Sequence, residues 1–556
     1  MKFIVSILIF TFGHSLLFAQ ISPDHYLVNF TDKNNNSYSL EYPEQFLTQR
    51  AIDRRTKYNI AFDETDLPVN QAYIDSLKSL GLKIINVSKW FNSVSVYSKD
   101  TLLIDTLNKI SFIKSVGISK NKSRKIKNDL KANAQIKYEQ SLNFDSSAYD
   151  YYGSGFRQIE MLNAQYLHEA GFKGEGMLVA ILDAGFYKVN ELAAFDSIRA
   201  NNQIVGVYDF VDKDTSVYDA ATHGMMVLST IASNLPGELV GTAPKADFLL
   251  LRTEQVASEY IIEEFNWAVA AEYADSLGAD IISSSLGYNN FDDTTQSHSY
   301  SDMDGNTALI SIAADLAAKK GILVVSSAGN EGFSQWKYIS APADADSVLT
   351  VGAVTEDENI AFFSSRGPTF DRRIKPDVCA QGMPAVVMSA NGNITLSNGT
   401  SFSAPIITGA VTCLWQAHPE LNNMQIIEAI KQSADRYNHP DTIFGYGIPD
   451  FYAAHIYLNS MGQIDENTEN LLNVFPNPFK NILNVAFYSK NINLPYNTKL
   501  EIFDVHGKKV MDVHADDVAR NYSLTVLDNV GKLSSGVYIV RITADDIVLQ
   551  TKVIKQ

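Results

Sequence analysis

Four polar residues in this 556-residue chain stand where a strand should end, a helix should begin or a loop should turn. Ser401 lies within Asn398-Gly399-Thr400-Ser401-Phe402-Ser403-Ala404-Pro405, ahead of an apolar helical run from 406 to 415. A serine hydroxyl is a poor nucleophile until a neighbour positions it and takes its proton. At a turn that opens a helix its Oγ can face a cleft, and the helix N-terminus favours developing negative charge. The same placement suits a serine that only caps the helix. His223, in Thr222-His223-Gly224-Met225-Met226, follows polar residues and precedes an apolar run, so its imidazole starts a helix rather than filling a core. Asp183 closes a buried-type strand at 177–182, where a carboxylate also serves as turn former or cap. Asn330, in the stretch 325–332, suits a loop residue that tolerates a left-handed backbone.

Taken together the stretches carry a resemblance. Gly399-Thr400-Ser401-x-Ser403-Ala404-Pro405 resembles the nucleophile motif of the subtilisin-like serine proteases (subtilases), whose triad runs in the order Asp, His, Ser. Asp183-Ala184-Gly185 and His223-Gly224 resemble the other two triad motifs, in that order. The resemblance implies an endopeptidase in which Ser401 attacks, His223 moves the proton and Asp183 orients the histidine. Ser283-Ser284-Ser285-Leu286-Gly287 resembles the strand on which substrate backbone pairs. Ser285, Leu286, Gly287, Ala328 and Gly329 are therefore the substrate-binding candidates. Asn330 would bond the oxyanion, with the Ser401 N–H as second donor. Met225 and Met226 stand where the family often has Thr and a second His, so the packing behind His223 must differ. Two rivals are a catalytically silent surface-binding protein on a subtilase scaffold and an acid-acting relative with Glu as base, which His223 disfavours. No catalytic metal or organic cofactor is implied. Asp302 and Asp304, alternating before Gly305, suit either a structural calcium or a solvated surface loop.

These residues need elements to hold them. Apolar runs at 177–182, 204–210, 248–251, 281–284, 322–326 and 348–351 alternate with helical patterns, notably 259–277 and 307–320. That alternation predicts an α/β fold for residues 151–460: a mainly parallel sheet with helices on both faces. Ligands bind such sheets at the carboxyl ends of the strands. The segments 362–368 and 375–378 resemble subtilase scaffold. Ahead lies a small α+β domain, 20–118. Pro43 should open a helix carrying Phe46, Leu47, Ala51 and Ile52 on one face. Helix 69–80, strands 82–88 and 92–97, helix 102–110 and strand 112–118 then form part of a split βαβ sheet. The pattern is similar to the inhibitory propeptides of subtilases; a generic α+β domain of other purpose is the alternative. The basic run Lys120-Asn121-Lys122-Ser123-Arg124-Lys125-Ile126-Lys127 makes 119–150 a connector open to nicking. Beyond a linker at 461–470, short strands across 471–556 predict a small antiparallel β-sandwich. Its segments 474–479, 507–510 and 533–538 resemble the C-terminal sorting domain of type IX secretion. Without that resemblance it reads as a β module for surface or carbohydrate binding.

The chain is 46% hydrophobic and 19% charged, as ordinary globular domains are, and long enough for several. A net charge of −18 argues against nucleic acid or an anionic membrane as the main partner. Residues 1–19 read as a secretory signal, with Lys2 ahead of an apolar core and a cleavage point near Phe18-Ala19-Gln20. No later apolar run is long enough to span a bilayer. The expectation is a secreted or cell-surface protein whose partners are protein or peptide substrates, its own propeptide and the type IX secretion machinery. The two cysteines, Cys379 and Cys413, sit in apolar stretches that favour buried free thiols over a pair.

Overall fold

The computed structural model describes residues 20–118, 150–461 and 470–555, apart from short stretches at 476, 480–482, 490–498, 515–521, 528 and 545. The signal segment, the basic connector after Ile118 and residues 462–469 lie outside the described residues.

Seven strands form one parallel sheet in the central region. Their order is Val378–Met383, Val348–Thr355, Leu323–Ser327, Ile281–Ser284, Leu178–Asp183, Asp247–Arg252, Ile204–Asp209. Every residue of Leu178–Asp183 is buried, and its alternating side chains divide between two cores. Val179 and Ile181 pack with the helices His223–Ala232 and Thr400–Ala417. Leu178, Ala180 and Leu182 pack with Ile262–Leu277 and Leu309–Lys319. Helices thus cover both faces, which is why central strands such as Leu178–Asp183 and Leu323–Ser327 are buried throughout. The seventh strand, Val378–Met383, pairs with Val348–Thr355 and was not anticipated from sequence; cysteine, glutamine and glycine interrupt its pattern. Leu178–Asp183 lies between the strands that follow it second and third in the chain, so the chain reverses direction across the sheet beside Asp183.

Residues 20–116 build a five-stranded antiparallel sheet with Gln71–Ser79 and Thr101–Leu107 packed on it. Asn70 and Asp100 cap those helices, accepting the N–H groups of Ala72 and Leu103. One expectation is corrected here. Pro43 opens only a single 3-10 turn, Pro43–Gln45, and Phe46 ends it. The α-helix starts after Thr48, runs Gln49–Lys57, and buries Ala51 together with Arg54 and Arg55. Its inward face is half cationic because acidic partners wait in the central region, a circumstance that apolar periodicity does not register.

The C-terminal region is a sandwich of a three-stranded and a four-stranded antiparallel sheet. Val474, Phe487, Ile502 and Val540 fill the space between them. Two strands were missed from sequence, Asn470–Phe475 and Lys509–His514. The first begins at Asn470, inside the expected linker. The sandwich touches the central region where Ala486 packs on Ala453 and Ile456 of the helix Phe451–Met461. Both cysteines are buried and free, as expected, and burial pushes both thiols up. No helix among the described residues is long and apolar enough to cross a membrane.

Candidate active site

Asp183 ends its strand with its side chain fully buried. Its Oδ1 accepts the Ala184 N–H at 2.7 Å, and its two oxygens lie 2.8 and 3.0 Å from His223 Nδ1. His223 opens its helix directly over that strand end because Gly224 permits it. A Cβ on Gly224 would stand 2.5 Å from the Gly185 carbonyl and 2.9 Å from the Asp183 Cβ. With Nδ1–H donating to the carboxylate, the imidazole keeps Nε2 as its free lone pair. The Asp183 charge raises the His223 pKa, against a smaller opposing push from burial. Met225 is buried in the core on which this helix packs, and Met226 is half-buried against it. The histidine and Phe402 rings lie 6.1 Å apart, which brings His223 beside the turn that carries Ser401.

Ser401 is the second residue of the helix Thr400–Ala417, behind Gly399, and its side chain caps nothing. Its Oγ points to the Ser285 carbonyl at 3.4 Å, and among the described contacts it has no hydrogen bond to His223. In the other direction the Ser285 hydroxyl donates to the Ser401 carbonyl at 2.8 Å. That carbonyl is available because the residue four positions on is Pro405, which has no N–H to close the helical bond. Asn330 is exposed, and its Oδ1 accepts both the Thr400 N–H at 2.9 Å and the Thr400 hydroxyl at 3.0 Å. Two donors on one oxygen settle the amide orientation, so Nδ2 is the atom left to donate elsewhere.

Leu286 and Gly287 continue past the strand Ile281–Ser284, and no backbone hydrogen bond among the described residues uses their N–H or C=O groups. Ala328 and Gly329 differ. The Ala328 N–H donates to Val351 and its carbonyl accepts from Ser340, while Gly329 donates to the Thr400 hydroxyl and accepts from Ser365. Their backbone is spent on the scaffold. Asp302 caps the short turn Tyr300–Asp302, accepting from the Ser299 N–H and hydroxyl. Asp304 accepts from the Asn306 N–H and the Thr307 hydroxyl. Each carboxylate serves its own turn, and among the described residues no three His, Cys, Asp or Glu side chains are placed to hold a metal ion.

Two contributors escaped the sequence reading. Thr400 fixes Asn330, a role whose only signal was adjacency to Ser401. Glu254, just past the strand that pairs with Leu178–Asp183, is buried; burial pushes its carboxyl up to about 7, and its charge helps raise the His223 pKa.

Residues 174–447 match the subtilase family. Residues 25–136 match the peptidase S8 propeptide domain of Bacteroidota, and residues 473–556 the secretion system C-terminal sorting domain. Residues 174–447 are thus a subtilase domain, and the chain is a serine-type endopeptidase with a propeptide domain before that domain and a sorting domain after it. Among its relatives, subtilisin E of Bacillus subtilis (strain 168) is 29% identical over 333 residues, covering 59% of this chain and 78% of its own. The serine protease AprX of the same strain is 30% identical over 305 residues, covering 49% of this chain and 65% of its own. The crystal structure of the epidermin leader peptide processing serine protease from Staphylococcus aureus aligns with a TM-score of 0.50 at 18% identity, covering 80% of this chain and 99% of that one, and speaks to the fold alone.

Proposed function

We propose that Asp183, His223 and Ser401 are the catalytic triad of this peptidase and that Asn330 completes its oxyanion site. The observation that carries the reading is the His223 Nδ1 to Asp183 contact at 2.8 Å, which frees Nε2 beside the Ser401 turn. His223 Nε2 takes the Ser401 proton as Oγ attacks the scissile carbonyl, and the C–N bond then breaks as the same proton passes to the leaving amine. Water repeats the cycle and releases the acyl group. The oxyanion accepts from Asn330 Nδ2 and the Ser401 N–H. Substrate backbone pairs along Leu286–Gly287, with Ser285 beneath it and Ala328 and Gly329 forming the opposite wall. Catalytic hydrogen bonds commonly form or tighten only on substrate binding, when Ser401 Oγ would leave the Ser285 carbonyl for the imidazole.

Under this reading residues 1–19 are the export signal, 20–118 the inhibitory propeptide, 119–150 the connector in which it is cut, 151–460 the peptidase, 461–470 a linker and 471–556 the tail handled by type IX secretion. The substrates are proteins or peptides outside the cell or at its surface. Peptide hydrolysis by the purified enzyme, compared with Ser401→Ala, tests the assignment. A folded wild-type protein without turnover would favour the silent-scaffold alternative, for which the Ser401 to Ser285 contact is the one supporting observation.

A further inference from the structure

The helix Gln49–Lys57 of the N-terminal domain does not pack on its own sheet's core; it is set against the ends of two peptidase helices. Ile262–Leu277 ends at Gly278 and Leu309–Lys319 ends just before Gly321, both left-handed glycines. A Cβ on Gly278 would stand 2.7 Å from the Arg50 side chain, and one on Gly321 would stand 2.7 Å from Ile60. The C-terminal carbonyls of both helices therefore face the N-terminal domain at contact distance. A helix C-terminus carries partial negative charge on carbonyls with no partner inside the helix.

Arg54 fills that position. Its guanidinium donates to the Ala279 and Asp275 carbonyls at the first helix end, to the Lys320 carbonyl at 3.2 Å at the second, and to Asp275 Oδ1 at 2.5 Å. Arg55 donates to both Asp275 oxygens at 2.8 and 2.9 Å and to Asp66 at 3.1 Å. Lys320 answers from the peptidase side, 2.9 Å from Asp66 and 2.9 Å from Asp63. The side chains of Arg54, Arg55, Asp66, Asp275 and Lys320 are each 3% exposed or less. Charges so buried are tolerated only when paired, and apart from Arg55–Asp66 the pairs here cross between the two domains.

We propose that Asp275 and the two helix ends form a guanidinium-binding exosite on the peptidase domain. Its occupant is the Arg54–Arg55 pair of the chain's own N-terminal domain, and it holds that domain in place after the connector is cut. The claim rests on the propeptide reading and adds where the grip lies: in a buried charge lock away from Ser401. Neither half satisfies these charges alone, so the lock selects a partner that presents two adjacent arginines on a helix beside an acidic turn. A second clamp lies alongside, where Glu272 accepts the Lys89 N–H at 2.7 Å and the Trp90 N–H at 3.1 Å.

The test uses the full-length Ser401→Ala chain, so no result depends on its own proteolysis. Brief trypsin treatment opens the Lys- and Arg-rich connector, and size-exclusion chromatography then asks whether the two parts travel together. The nicked chain should stay associated equally at about 0.1 and 1 M NaCl, because buried pairs are little screened. Arg54→Met/Arg55→Met in the same background should weaken the association by about 10²–10³-fold and release the N-terminal part. A nicked double variant that holds together like its parent overturns the proposal. If the double variant does not fold, the salt series on its parent decides, and dissociation at high salt overturns it as well. Failure of the triad assignment would appear in peptide hydrolysis and leave this association unchanged.

Discussion

Pro405 stands four residues after Ser401 and cannot close the helical hydrogen bond to its carbonyl, and the Ser285 hydroxyl occupies that carbonyl at 2.8 Å instead. The residue proposed as nucleophile is thereby tied to the segment proposed to bind substrate through its backbone carbonyl, more closely than through its reactive oxygen, which lies 3.4 Å from the Ser285 carbonyl.

That tie is measurable. Ser285→Ala leaves the Ser401 carbonyl buried and unpaired, and should cost about 1–3 kcal/mol of stability. Pro405→Ala supplies an N–H at the position that can donate to the same carbonyl. The double variant should recover part of the loss, so the two substitutions should couple by more than about 0.5 kcal/mol in a denaturant-melt cycle. Additive effects would refute the link.

Asn330 and Thr400 should separate in kinetics. Asn330→Ala removes a donor that acts only in the transition state, so kcat should fall about 10²–10³-fold with KM nearly unchanged. Thr400→Val keeps the backbone donor to Asn330 Oδ1 but loses the hydroxyl, and should lower kcat by about 10-fold through misplacement of the amide. A rise in KM alone for Asn330→Ala would make it a ground-state contact and end the oxyanion assignment.

The acid limb of activity follows from His223. Its pKa is raised, first by the Asp183 charge, and the base must be neutral to take the Ser401 proton. Activity should therefore be full at pH above the raised value and be lost as pH falls through it, with a midpoint above the 6.5 of an ordinary imidazole. Asp183→Asn removes the main cause, so the midpoint should move down while kcat drops about 10⁴-fold. A limb that stays in place in Asp183→Asn would mean that another group titrates there.

Deleting 471–556 tests the tail. Its only apolar cluster shared with the peptidase region, among the described residues, joins Ala486 to Ala453 and Ile456. So small a contact predicts comparable kcat/KM on short peptides and a modest loss of melting temperature. Collapse of either would show that the sandwich supports the catalytic core.

How much of this was legible beforehand depended on the range of the interactions. Most of the six predicted strands were readable because burial on both faces favours apolar residues, while the edge strand Ile204–Asp209, mostly half-buried, was read from its own composition. Val378–Met383 was not, since its burial comes from pairing with Val348–Thr355 and not from its own composition. Asp183, His223 and Ser401 were proposed by motif, and of the three only Asp183 and His223 are in direct contact among the described hydrogen bonds. Ala328 and Gly329 were proposed to meet substrate, yet their backbone is committed to Val351, Ser340, Ser365 and Thr400. Arg54 and Arg55 were invisible as interior residues because their partners, Asp275 and Lys320, lie more than two hundred positions away.

The most direct measurement treats the purified enzyme with a serine-directed fluorophosphonate and locates the adduct by peptide mapping. The account predicts a single adduct on Ser401 Oγ, slowed at pH below the His223 pKa and absent from a folded Ser401→Ala variant. A folded wild-type enzyme that hydrolyses peptides without labelling at Ser401, or a Ser401→Ala variant that retains turnover, would contradict it.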